Sequence, residues 1–262
     1  MPQLQRLAVT AAQICDRKID LTREQQHYLN RVLRLQGGDR FIAMDGRGHW
    51  WLAVLEVRET GLIASITQEI AINRELPVEV TLMAALPKGN GFDEVVRQAT
   101  ELGVASIVPV TSDRTLLKPS DQKVDRWRRI AAEAAEQSER QIVPTISEPV
   151  SFDVAVKDCG QKYRFICVAR GDNRHLWDCL VGFVPPQFRA ATGAPPLQRG
   201  EQDGGELSIV IAVGPEGGWT EGEVKRAIEF DFEPVSLGSR ILRAVTAPIV
   251  ALSLVGAAFE KC

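Results

Sequence analysis

The sequence predicts an α/β protein in two parts: a small β-rich N-terminal unit, then a larger domain in which strands and helices alternate. Three observations predict it. Leu207–Val213 (LSIVIAV) is almost continuously apolar, the pattern of a parallel strand covered on both faces. From Val78 onward, short apolar runs alternate with stretches of helical periodicity. Between Arg40 and Ile70, apolar runs are separated only by turn residues, the pattern of successive hairpins.

In chain order, Thr22 and Gln25 form a capping box that opens a helix expected to run to Leu35. Leu29, Val32 and Leu33 form its apolar face and Gly37 its end. Strands are expected over Arg40–Met44, His49–Val57 and Leu62–Ile70, with turns at Asp45-Gly46-Arg47-Gly48 and Thr60-Gly61. Hairpins of this size suggest a small β-barrel. Ala71–Pro77 reads as a linker, which places a domain boundary between residues 72 and 73.

The second domain begins with a strand over Val78–Leu86 and the loop Pro87-Lys88-Gly89-Asn90-Gly91. Phe92, Val95, Val96, Ala99 and Leu102 then mark a helix face closed by Gly103. A strand over Ala105–Val110 precedes a long helix from Asp121 to about Arg140, whose stripe is Trp127, Ile130, Ala131 and Ala134. A short helix at Ser151–Val156, a strand at Arg164–Ala169 and a helix at His175–Val181 follow. Residues 185–205, rich in Pro, Gly, Gln and Ala with no apolar period, read as a mobile surface loop.

Leu207–Val213 runs straight into Gly214-Pro215-Glu216-Gly217-Gly218. Thr220 and Glu223 then form a second capping box for a helix ending near Phe230. Pro234–Leu237 reads as another strand, Gly238–Val245 as a loop, and Thr246 with Pro248 as the start of a helix reaching Glu260. Both loops therefore sit at carboxyl ends of strands, where open α/β sheets bind ligands. The last helix is apolar almost all round, implying burial on more than one side, yet is shorter than the roughly 20 apolar residues of a membrane span.

With 262 residues, 45% hydrophobic and 25% charged, the chain has an ordinary globular composition. Its net charge of −3 provides no global basic field, so nucleic-acid contacts must come from a local patch. Basic side chains outnumber acidic ones between Arg6 and Arg47. The five cysteines are scattered, with no CxxC pair and no histidine at metal-ligand spacing, as expected for reduced thiols in a cytoplasmic protein with no metal. Cys167, within FICVA, reads as a core residue. The N-terminus lacks the apolar run of a signal peptide, and no membrane partner is indicated.

GPEGGW lacks the lysine and hydroxyl of a nucleotide P-loop, and no GxGxxG follows the early strands. A glycine-rich turn alone is a weak signal. Its pairing with Gly238-Ser239-Arg240-Ile241-Leu242-Arg243 is stronger, because two closely approaching backbones with Leu237, Ile241 and Leu242 between them bound an apolar slot rimmed by peptide groups. Such a slot suits a flat heterocycle such as adenine.

Together these motifs resemble the SPOUT superfamily of knotted methyltransferases, and particularly the RsmE family of ribosomal RNA uridine-N3 methyltransferases. The likeness runs through HYLNRVLRLQGGD, MDGRG, ALPKGN, ATELGVASIVP, RWRRIAAEAAEQSERQIVP, GPEGG and SLGSRILR followed by TAP, and so covers nearly the whole chain. It implies a PUA-like RNA-binding domain over residues 1–72 and a SPOUT domain over 73–262 whose last helix threads a deep trefoil knot. It also implies a homodimer, S-adenosylmethionine as cofactor, and a uridine of small-subunit ribosomal RNA, free or in the assembled subunit, as methyl acceptor.

On this resemblance the cofactor residues are expected to be Val213, Gly214, Pro215, Glu216, Gly217, Gly218, Leu237, Gly238, Ser239, Ile241 and Leu242. A side chain added at Gly214, Gly217, Gly218 or Gly238 would intrude on the slot. Arg243 is the candidate to stabilise the uridinate, with a phosphate contact as the alternative, and Glu216 to orient substrate or balance the sulfonium charge, with merely holding its loop as the alternative. Arg6, Arg31, Arg34, Arg47, Arg114 and Arg140 are candidate RNA contacts, the last two expected near the catalytic end of the larger domain. One departure stands out: the family commonly reads LRTETA, whereas here Val245 replaces the glutamate. The alternatives are methylation of another RNA position, such as a ribose hydroxyl, and a non-catalytic ribosome-assembly factor.

Overall fold

The structure, a computed structural model, describes residues 4–58, 61–71, 74–115, 119–183 and 207–260; the loop expected at 185–205 lies outside them. The chain divides into two compact units, Met1–Glu75 with Ala132–Val143, and Leu76–Ala131 with Pro144–Cys262. The first unit thus takes in a segment that a boundary at residue 72 leaves out. The reason is electrostatic as well as apolar. The Glu75 carboxylate accepts from Arg140 Nη2 (2.6 Å) and from the backbone N–H groups of Gln141 (2.9 Å) and Ile142 (3.0 Å). Ala135 packs in a cluster with Ile42, Met44 and Trp50.

In the first unit the strands are β1 (Arg6–Ala8), β2 (Ile14–Cys15), β3 (Lys18–Asp20), β4 (Arg40–Met44), β5 (Trp50–Arg58) and β6 (Gly61–Ile70), with a 3-10 turn at Ala11–Gln13. They form one six-stranded sheet in the order β1-β4-β5-β6-β3-β2, antiparallel except for the β1/β4 pair. Ile19, Phe41, Ala43 and Ala53 of the sheet are fully buried in one core cluster with Leu29. The capping box opens α1 (Arg23–His27): Thr22 Oγ1 accepts from Gln25 N (3.2 Å) while Gln25 Oε1 accepts from Thr22 N (2.9 Å). The expected helix to Leu35 is cut short. A π turn at Tyr28–Val32 closes with a bond from Leu33 N to Tyr28 O, and Arg34 then takes a left-handed φ of 57°.

The second unit is built on β7 (Glu79–Ala85), α2 (Gly91–Glu101), β8 (Ser106–Thr111), α3 (Asp121–Gln137), β9 (Thr145–Ile146), β10 (Val150–Ser151) and α4 (Phe152–Lys157). It continues through β11 (Tyr163–Cys167), α5 (Leu176–Phe183), β12 (Ser208–Val213), α6 (Glu221–Glu229), β13 (Glu233–Val235) and α7 (Thr246–Phe259). The last turns of α3 belong to the first unit. All strands pair in parallel, in the order β10-β8-β7-β12-β11-β13, with β9 beside β8. The apolar strand predicted from LSIVIAV is β12, which lies at the centre between β7 and β11 and is buried from Ile209 to Val213. Phe92 of α2 packs on Trp127 of α3 (centroids 4.5 Å apart), and Asp93 ties that contact by accepting from Trp127 Nε1 (3.0 Å). In α7 the buried residues Ala247, Pro248, Ala251, Leu252, Val255, Ala258 and Phe259 spread around the helix, as its uniform apolarity predicts.

Candidate functional site

Three loops leave the carboxyl ends of β11, β12 and β13 and converge on one cleft of about 780 Å³. The β12 loop is the GPEGG turn. Gly218 N donates to Pro215 O (2.8 Å), and Gly218 sits at φ 68°, a conformation that L side chains rarely adopt. Trp219 then turns inward. Its indole stacks obliquely on Phe152 (4.6 Å between centroids) and backs the loop so closely that a Cβ on Gly214 would lie 3.2 Å from Trp219 N.

Beyond it, α6 is capped as expected: Thr220 Oγ1 accepts from Glu223 N (3.2 Å) and Glu223 Oε2 from Thr220 N (2.7 Å). Glu223 is buried, and its other oxygen accepts from Asp113 N (3.0 Å), which fixes the loop after β8.

The GPEGG turn is held from two more sides. Glu216 Oε1 accepts from Lys88 N (3.0 Å), linking it to the Pro87–Gly91 loop, and Arg114 Nη1 donates to Gly217 O. Glu216 therefore has a demonstrable role in holding the loop. The β13 loop is shaped by Ser236, whose hydroxyl accepts from Gly238 N (3.0 Å), and by Gly238 at φ 114°. Arg243 O accepts from Thr246 N and Ala247 N (both 2.9 Å), which starts α7.

Of the residues singled out by sequence, Val213, Gly214, Pro215, Glu216, Gly217, Gly218, Leu237, Gly238, Ile241 and Leu242 line this one cleft. Ser239 and Arg243 are exposed on the same loop and do not line it. Sequence reasoning missed the third wall, Cys167 to Gly171 after β11, together with Trp219, Arg240 and Ala244. The available signal was the position of these residues at another strand's carboxyl end, next to β12 in the sheet. Burial pushes the Cys167 thiol up to about 12, so it is a neutral wall and no nucleophile. Among the described residues no group of three or more His, Cys, Asp or Glu is gathered for a metal.

The arginines expected to touch RNA divide sharply. Arg31, Arg34 and Arg47 are exposed in the first unit, and Arg114 is exposed beside the cleft in the second. Arg140 is a correction: it belongs to the first unit, is 4% exposed, and its guanidinium is committed to Glu75. Arg6 is similarly engaged, paired with Glu139 at 2.7 Å and stacked over Trp50.

A parallel sheet with a glycine-lined cleft beside its central strand, in a chain that also carries a β-rich unit, fits the class identified by comparison with known families. Residues 74–256 match the RNA methyltransferase domain family and residues 21–66 the RNA methyltransferase PUA domain family, so the chain belongs to the RNA methyltransferase family. More particularly, it is similar to the ribosomal RNA small subunit methyltransferase E of Synechocystis, with 44% identity over 98% of this chain and 78% of that protein. The Bacillus subtilis protein of the same name is 32% identical over 90% of this chain and 88% of its own length. Among solved structures, the Neisseria gonorrhoeae ribosomal RNA small subunit methyltransferase E, bound to S-adenosyl methionine, superposes with a TM-score of 0.79 at 28% identity, covering 98% of both chains.

Proposed function

We propose that this chain is an S-adenosylmethionine-dependent ribosomal RNA methyltransferase that modifies ring nitrogen 3 of a uridine in small-subunit ribosomal RNA. The observation that carries the reading is the convergence of three strand-end loops on one cleft. Its lining combines Gly214, Gly217, Gly218 and Gly238 with Leu237, Ile241 and Leu242. Backbone donors and acceptors beside apolar side chains suit an adenosine, and the relative from Neisseria gonorrhoeae, alike over nearly its whole length, is bound to S-adenosyl methionine. The group would supply an activated methyl on a sulfonium.

The chain's own residues do the rest. Uracil nitrogen 3 carries a proton, and its lone pair becomes available only as that proton leaves, so the step needs a base to take it, or a cation that stabilises the uridinate while water takes it. Arg243 is our assignment for that cation: it is exposed, and among the described residues no carboxylate engages its guanidinium. Glu216 keeps the GPEGG turn in place through Lys88 N. Exposed Arg31, Arg34 and Arg47 are assigned to phosphate contacts.

The SPOUT knot, with α7 as its threaded helix, and a homodimer built on that helix are part of the same proposal. Beyond the buried residues of α7, Ile249, Val250 and Leu254 remain half-buried, and Ile241 just before it is 67% exposed, which supports an apolar interface. No described helix is long and apolar enough to cross a membrane, consistent with action in the cytoplasm. The test is methyl transfer to purified small subunits, followed by nucleoside mass spectrometry. N3-methyluridine is expected; another methylated nucleoside, or none, overturns the assignment.

A further inference from the structure

The rim of the cleft holds Arg114, Arg170, Lys225 and Arg240 against two carboxylates, Glu216 and Glu221. All four cations are exposed, and no ion pair among the described residues takes any of them. The contrast within the same unit is informative. Arg97, Arg126, Arg128, Arg174 and Arg226 each sit within 3.4 Å of a carboxylate. Four cations against two carboxylates leave this rim net positive, in a chain whose net charge is −3.

The cofactor does not account for it. S-adenosylmethionine carries a sulfonium and an ammonium against one carboxylate, so it is itself a cation and is repelled by further positive charge. A net positive rim at a pocket for a cationic ligand fits a polyanion that covers the pocket mouth.

We infer that Arg170, Lys225 and Arg240 form a phosphate-binding rim that holds the RNA backbone on either side of the nucleotide presented to the cleft. The three come from different elements: the loop after β11, helix α6 and the loop after β13. Each is assigned its own phosphate, which the slope measured below counts. Arg114 stands apart, because its guanidinium donates to Gly217 O and so also shapes the GPEGG turn. The inference rests on the proposed function and extends it from a cofactor pocket to an RNA path across its mouth.

The test is the salt dependence of binding to a small-subunit ribosomal RNA transcript, without cofactor, between about 50 and about 200 mM salt. Arg114 is left intact. Arg170→Ala/Lys225→Ala/Arg240→Ala changes only exposed side chains, so folding should be retained. Each lost phosphate contact should reduce the slope of log affinity against log salt by roughly 0.7 to 0.9, giving a slope shallower by about 2. The charge-preserving Arg170→Lys/Lys225→Arg/Arg240→Lys should keep the original slope, and calorimetry with S-adenosylmethionine on both variants separates a role toward the cofactor from one toward RNA.

An unchanged slope in the alanine variant overturns the inference, and is the result expected if the rim faces an acidic protein instead. Loss of cofactor affinity with RNA binding intact also overturns it, by assigning these side chains to the cofactor. Failure of the underlying reading looks different: the unmodified protein would bind no S-adenosylmethionine and methylate no subunit.

Discussion

Gly214→Ala tests whether the GPEGG turn is built around a bare backbone. A Cβ there would lie 3.2 Å from Trp219 N and Cε2 and 3.3 Å from Cδ2. These are atoms with little room to retreat, since the indole is 9% exposed and pressed against Phe152. Overpacking of this kind costs about 1–3 kcal/mol. In the free protein the exposed side of the loop can relax and relieve the strain, whereas the bound state needs the turn restored, so most of the cost should appear in binding. At about 1.4 kcal/mol per factor of ten, S-adenosylmethionine affinity measured by calorimetry should fall between about fivefold and about 150-fold. Gly217→Ala should lose less, because the nearest atoms its Cβ would meet belong to the Arg114 side chain, with Cδ at 3.1 Å. Gly160→Ala, with nothing within 4 Å, serves as the control. Affinity within twofold of the unmodified protein for Gly214→Ala would refute the reasoning, and would place the cofactor away from this turn.

Two further outcomes follow from the first unit. Glu75→Ala removes the carboxylate that accepts from the buried Arg140 guanidinium and from Gln141 N and Ile142 N, so urea denaturation should show a loss of about 1–3 kcal/mol. Undiminished stability would show that water replaces the carboxylate. Glu136 is half-buried, and desolvation, reinforced by Glu133, holds its carboxyl above the usual value of 4.5 despite the hydrogen bond from Ala8 N. The folded state therefore keeps a proton that the unfolded chain has released, and stability should fall as pH rises from about 4.5 through the raised value. Glu136→Gln should remove that part of the pH slope while keeping an acceptor for Ala8 N; an identical slope in both proteins counts against the assignment.

How much could be read from the sequence depended on whether the signal was local. Both capping boxes, the β12 strand and the stripe Trp127, Ile130 and Ala131 are periodic or short-range features, and the structure holds each of them. The β2–β3 hairpin was missed because its turn uses Asp16 and Arg17 at φ 47° and 61°, left-handed positions without the usual glycine or asparagine. Its strands have two and three residues, too few for an alternating pattern. The same holds at the end of α3, where Glu139 at φ 59° supplies the reversal and the expected run to Arg140 stops at Gln137. Arg140 itself could not be assigned from sequence. An arginine reads as a surface cation until its partner, 65 residues earlier, is known. In the cleft, sequence pairing found the two glycine-bearing loops, but the β11 wall contains few glycines and was recognisable only through the sheet order that sets β11 beside β12.

Sheet order also bears on Val245, which stands where the resembling family commonly carries glutamate. The side chain does not line the cleft. Its Cγ1 lies 3.0 Å from where a Cβ on Gly91 would stand, beside the Pro87 ring, at the start of α2. A carboxylate at 245 would then sit near the N-terminus of α2, where the first N–H groups lack helical partners and Asn90 provides no side-chain cap. An anion in such a place contributes about 0.3–1 kcal/mol through the helix dipole, less whatever is lost in desolvating it against Pro87. On these contacts we infer that the position bears on local stability and that a valine there is compatible with methyl transfer. Val245→Glu is expected to change the denaturation midpoint by an amount corresponding to no more than about 1 kcal/mol. It should leave kcat on small subunits within about threefold, or roughly 0.65 kcal/mol of barrier. A rise in kcat of tenfold or more would sink this account, because only a carboxylate acting on the uridine or on the residue that stabilises its anion would deliver it.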